Sequence, residues 1–186
     1  MTSAGVNPAG GVTTDMLSAT PLFFPDAFHV QAAIGWLELS SPADARAELE
    51  NISGARREHP DALEVWWNIF AAEKNWPGAL TCAERLLAAA PERASGWLDQ
   101  SFALHELKRT REAFERLSGA AQKFPGHHVI PYNLACYQSV LGDREEALCW
   151  LRCAVTVSDV KIIRTLAADD PDLAPLRDEI SRLDQL

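Results

Sequence analysis

Four alanines, Ala45, Ala79, Ala113 and Ala147, recur at intervals of 34 residues, and each lies inside a stretch with the apolar spacing of a helix. Four residues beyond them stand Leu49, Ala83, Leu117 and Leu151, and seven beyond stand Ile52, Leu86, Ala120 and Ala154. An i, i+4, i+7 set of this kind is one buried helix stripe, kept small at its first position so that a neighbouring helix can come close. Five residues before each alanine comes a polar or helix-breaking position: Ser40, Lys74, Lys108 and Gly142. These mark the turn between two antiparallel helices, helped by Pro42, by Pro77 with Gly78 and by Gly142 with Asp143. A second break follows at Pro60, Pro91 and Pro125, and Ser158 with Asp159 takes that place in the fourth unit.

This helix-turn-helix unit resembles the tetratricopeptide repeat (TPR) family over about residues 26–158. The fullest copy is the fourth, where Leu134, Ala135, Gly142, Ala147, Leu151 and Ala154 stand at the family's positions. Trp66 and Trp97 match its first-helix tryptophan, whereas His29 and Pro131 depart from it. The resemblance implies an all-α, right-handed superhelix of antiparallel helix pairs acting as a protein-interaction scaffold. The units run over about 26–60, 61–91, 92–125 and 126–158. Spacing predicts a first helix about three residues short in the second unit, between Trp66 and Ala79, and a second helix about three residues long in the first, between Ala45 and Pro60.

Residues 1–25, rich in Gly, Ser, Thr and Pro, read as a disordered leader ending in the apolar Leu22, Phe23 and Phe24. Nothing in it has the charge and apolar order of a secretory signal, so a cytoplasmic protein with reduced cysteines is expected. After the array, residues 159–186 read as two capping helices, one from Asp159 to Ala168 and one opened by Asp170 and Pro171. Ile162, Ile163, Leu166, Leu173, Leu176 and Ile180 would cover the exposed end of the last repeat, as a stacked array requires.

Charge narrows the partners. Seventeen Lys and Arg stand against 26 Asp and Glu, which leaves no surplus for phosphate neutralisation and disfavours nucleic acid and anionic membrane. No apolar run approaches the roughly 18 residues of a membrane span. The first helices sum to −5 and the second helices to 0, so the surplus negative charge falls on the first-helix side. The resemblance implies that this side grips a peptide. Its candidate binding residues are Trp67, Asn68, Leu98, Phe102, His105, Tyr132, Asn133 and Cys136, an apolar and aromatic set with amides suited to a peptide backbone. Co-chaperone relatives hold acidic tails with a Lys and Arg clamp. Here Val30, Trp67, Ser95, Asp99 and Asn133 occupy comparable places, so the expected ligand is an apolar segment, basic character being admissible and acidic character not.

No nucleophile elbow, phosphate-binding glycine loop or HExxH helix is present, and no enzyme activity is expected. Cys149 and Cys153 lie one turn apart and His127 with His128 opens the same unit, but this is not a zinc spacing, and no metal or cofactor is expected. Two other non-enzymatic roles stay open: a secretion-type chaperone of hydrophobic segments, and a homo-oligomer formed by end-to-end stacking or by the Leu22–Phe24 segment entering a groove.

Overall fold

A computed structural model describes residues 21–183. Every regular element among them is helical. Helices α1 (Asp26–Glu38) and α2 (Pro42–Glu50), α3 (Pro60–Ala72) and α4 (Trp76–Ala89), and α7 (Val129–Leu141) and α8 (Arg144–Thr156) form packed antiparallel pairs, and α5 (Ala94–Glu106) and α6 (Thr110–Lys123) come between the second and third of these in chain order. A terminal segment comprises α9 (Val160–Ala168), a 3-10 stretch Pro171–Leu176 and α10 (Arg177–Ile180). The chain divides into two compact units at the bond between Ala103 and Leu104, inside α5.

The 34-residue phase is written twice into these helices. All twelve residues of the alanine-led stripe are buried, from Ala45, Leu49 and Ile52 through Ala147, Leu151 and Ala154. The turns repeat as well: Ser40, Lys74, Lys108 and Gly142 are the only described residues with left-handed backbone, at φ of 58°, 55°, 63° and 87°. Each closes its first helix with the same pair of hydrogen bonds, for example Asn75 N–H to Phe70 O at 2.8 Å and Lys74 N–H to Ala71 O at 3.0 Å. Such reversal satisfies carbonyls that would otherwise end unpaired, and it is ordinarily a glycine's task. Two of the second helices, α4 and α8, then restart on side-chain caps: Asn75 accepts from Gly78 N–H at 3.1 Å, and Asp143 from Glu146 N–H at 3.0 Å.

In the N-terminal unit, residues 21–103, one core joins Val30, Ala33, Leu49, Ile52, Val65 and Ile69. A second joins Leu63, Trp67, Cys82, Leu86, Phe102 and Ala103. Two length expectations are corrected. The first helix of the second pair, α3, runs a full 13 residues, and α2 stops after nine. The surplus residues form a loop and a 3-10 turn, Gly54–Arg56, because Asp26 captures Ser53 through both N–H and Oγ at 2.9 Å. Arg57 then donates to the free carbonyls of Glu50 and Ile52. The Ser53 amide hydrogen bond holds the Asp26 carboxyl below its ordinary pKa.

In the C-terminal unit, residues 104–183, α7 is the central helix, buried along its whole length from Val129 to Ser139. Ile163, Leu173, Leu176, Ile180 and Leu183 add to the core, while Ile162 is exposed and Leu166 half-buried. The second capping helix begins as a 3-10 stretch because Pro175 has no N–H with which to continue an α-helix from Pro171. Arg144 holds it by donating to Pro175 O at 2.8 Å and to the Glu179 carboxylate. The leader expected over residues 1–25 lies outside the described residues up to residue 20. From Leu22 onward the chain is placed, with Leu22 packed on the first core and Phe23 and Phe24 exposed.

Candidate functional site

Of the four candidate residues in the N-terminal unit, Trp67 and Phe102 belong to the core. Trp67 is 1% exposed, and its ring meets Phe102 edge to face at 6.2 Å, while Phe102 meets Trp76 the same way at 5.6 Å. Asn68 and Leu98 are half-buried. The expectation that the two large aromatics stand open to a ligand is therefore corrected: Phe102 on α5 closes over Trp67 on α3. Burial around them is costly to polar groups. Trp67 Nε1 has no hydrogen-bond partner, and Asp99 is buried with its carboxyl pushed well above the ordinary carboxylate range, first by burial and then by the charge of Glu64. Glu64 itself accepts from Ser95 Oγ at 2.6 Å and from Arg93 at 3.3 Å. Burial also pushes the Cys82 thiol up to about 12.

The open apolar surface of this unit lies instead on α1. Phe28 is 59% exposed and Leu39, at the helix C-cap, 72%, and Ala32 and Gly35 between them complete an i, i+4, i+7, i+11 row. A methyl group on Gly35 would meet no atom within 4 Å. Trp36 is exposed beside the row. In α1 only Asp26, His29, Gln31 and Glu38 are polar, so the helix is apolar nearly all round although just Val30 and Ala33 are buried. The flanking Phe23 and Phe24 are the apolar pair noted in the sequence, but the row along α1 was missed, because its spacing is offset from the stripe that packs inward.

In the C-terminal unit the candidates His105, Tyr132, Asn133 and Cys136 are all buried, Tyr132 completely. What covers three of them is the terminal segment. Tyr132 Oη donates to Asp170 Oδ2 at 2.8 Å, Cys136 Sγ lies 3.5 Å from the same oxygen, and His105 Nε2 lies 3.0 Å from Asp172 Oδ2. The other His105 nitrogen is 3.1 Å from Thr110 Oγ1, and the ring stacks on Tyr137 at 5.0 Å. Burial raises the pKa of Asp170, and burial together with the two nearby aspartates raises that of the Cys136 thiol. The helix-capping role read for Asp170 accounts for one of its oxygens, Oδ1, which accepts from Asp172 N–H at 3.0 Å. The other oxygen serves Tyr132, a partner 38 residues away that no local pattern announces.

Among the described residues no group of three or more His, Cys, Asp or Glu is placed to hold a metal ion, and no helix is long and apolar enough to cross a membrane.

The chain has the fold of a tetratricopeptide-type helical repeat. No protein-family model matches the sequence, and no curated protein matches it significantly. Solved structures do match its fold. The thermophilic TPR protein TTC0263 of Thermus thermophilus superposes with a TM-score of 0.63 at 18% identity, over 87% of this chain and 100% of that one. MamA from Desulfovibrio magneticus RS-1 (residues 41 to the end) gives 0.66 at 16%, over 89% and 98%. MamA of strain AMB-1 gives 0.58 at 16%, over 86% and 95%.

Proposed function

We propose that the protein is a non-enzymatic interaction scaffold that takes an apolar segment of a protein partner on the N-terminal unit. The observation that supports this most is the row Phe28, Ala32, Gly35 and Leu39 on α1, exposed at its two large ends. Its large ends and small centre suit a helix lying across it. Apolar patches of this kind on soluble proteins mark interaction surfaces more often than not. Residues 21–103 carry twelve Asp and Glu against six Lys and Arg, which favours a segment with basic flanks and repels an acidic one. Asn68 and Leu98, half-buried, stay candidate contacts, whereas Trp67 and Phe102 act as the core beneath the surface.

A panel of labelled helical peptides of equal apolar content, flanked by Lys, by Ser or by Glu, tests the reading by fluorescence anisotropy. The Lys-flanked peptide should bind at least tenfold more tightly than the Glu-flanked one. A panel in which the Glu-flanked peptide binds best would refute it.

A further inference from the structure

We propose that the C-terminal unit carries a second binding site, built from His105, Tyr132 and Cys136, for an acidic peptide of the form Asp-Pro-Asp-Leu, and that residues 170–176 are its resident intramolecular ligand. Covering α7 calls only for apolar side chains, which Leu173, Leu176 and Ile180 supply. The chain nevertheless buries two carboxylates in one turn of that cover: Asp170 is 2% exposed, and the Asp172 side chain 10%. Burying carboxylates is unfavourable unless donors are placed for them, and here donors from two successive first helices converge. Tyr132 and Cys136 on α7 meet Asp170 at 2.8 and 3.5 Å, and His105 on α5 meets Asp172 at 3.0 Å. The imidazole is itself fixed, between Thr110 Oγ1 and the Tyr137 ring. This is recognition of a pattern, two acids spaced by one proline with a leucine following, and not generic capping. It also shows why absence of a Lys and Arg clamp does not exclude acidic ligands: a hydroxyl, a thiol and an imidazole hold the carboxylates instead.

The resident segment has the features of a ligand. Pro171 and Pro175 preset its backbone, so a free peptide of the same sequence would lose little entropy on docking. Because the segment is tethered, it competes at an effective concentration of order millimolar, and in the native protein it masks the site.

The test uses a fluorescein-labelled peptide of residues 169–180 titrated into the full chain, as wild type and as D170N/D172N. The variant should bind the peptide at least tenfold more tightly than wild type, and a peptide carrying Asn at both acidic positions should not bind it. Equal affinity for the two proteins, or indifference to the peptide's aspartates, would overturn the proposal. If circular dichroism shows the variant unfolded, native-state alkylation of wild type decides. Cys136, beneath the segment, should then be labelled faster than Cys82, and labelling no faster than Cys82 would make residues 170–176 a permanent part of the core.

Discussion

Trp67 and Phe102 meet edge to face at 6.2 Å, joining the first helix of one pair to the first helix of the next within the N-terminal unit. Both side chains are buried in a core shared with Leu63, Cys82 and Leu86. Trp67→Ala should therefore lower unfolding free energy by about 3–5 kcal/mol, as large-to-small changes in a close-packed core do. Asn68→Ala, one residue along and half-buried, should stay within about 0.5 kcal/mol. Urea unfolding followed by circular dichroism measures both.

The left-handed turn residues give a second expectation. Lys74 and Lys108 are exposed and hold φ of 55° and 63°, a conformation that disfavours any residue with a Cβ. Lys74→Gly and Lys108→Gly should each raise stability by about 0.5–1 kcal/mol, the relief of strain exceeding the extra chain entropy of glycine. Gly142→Ala, at φ 87°, should lower it by about 1 kcal/mol. Urea midpoints of the three variants decide the matter.

Asp99 makes stability depend on pH in an unusual direction. Its folded pKa is raised well above 3.8 by burial and by Glu64, so the folded state holds the proton more tightly than the unfolded state. The resulting penalty is absent below 3.8, grows as pH rises toward the folded value and is complete above it. Asp99→Asn should thus be more stable than wild type at neutral pH, and the gain should vanish toward pH 3.8. Unfolding curves of both proteins across that window give the difference directly.

Thiol reactivity separates the cysteines by environment. Cys149 is exposed and should be alkylated first; Cys153, half-buried and with its pKa raised mainly by burial, should follow. Cys82, its thiol pushed up to about 12 inside the N-terminal core, should be labelled last. Mass spectrometry of timed digests reads the order.

The helix pairs were legible in the sequence because a small residue at a fixed point of each second helix is a steric demand, and Ala45, Ala79, Ala113 and Ala147 meet it in strict phase. The turns were legible by position alone, since Lys74 and Lys108 are not residues that advertise a left-handed backbone. Helix lengths in the first two pairs were not legible, because the end of α2 is set by Asp26 reaching Ser53, a contact across 27 residues. The candidate residues lie on first helices as read, but their exposure could not be inferred from helix phase. Trp67 is closed off by Phe102, and Tyr132 by Asp170, each from outside its own repeat. The α1 row escaped notice for the opposite reason: an apolar residue is assumed to be inside, and Phe28 and Leu39 are not.

The central claim, that α1 presents the partner-binding surface, is tested most directly by calorimetric titration of the Lys-flanked helical peptide into wild type and Phe28→Asp/Leu39→Asp. Both residues are exposed, so the variant should keep its helicity and its urea midpoint. Affinity should fall at least tenfold, about 1.4 kcal/mol or more. Unchanged affinity in a fully folded variant would contradict the account and place the surface elsewhere.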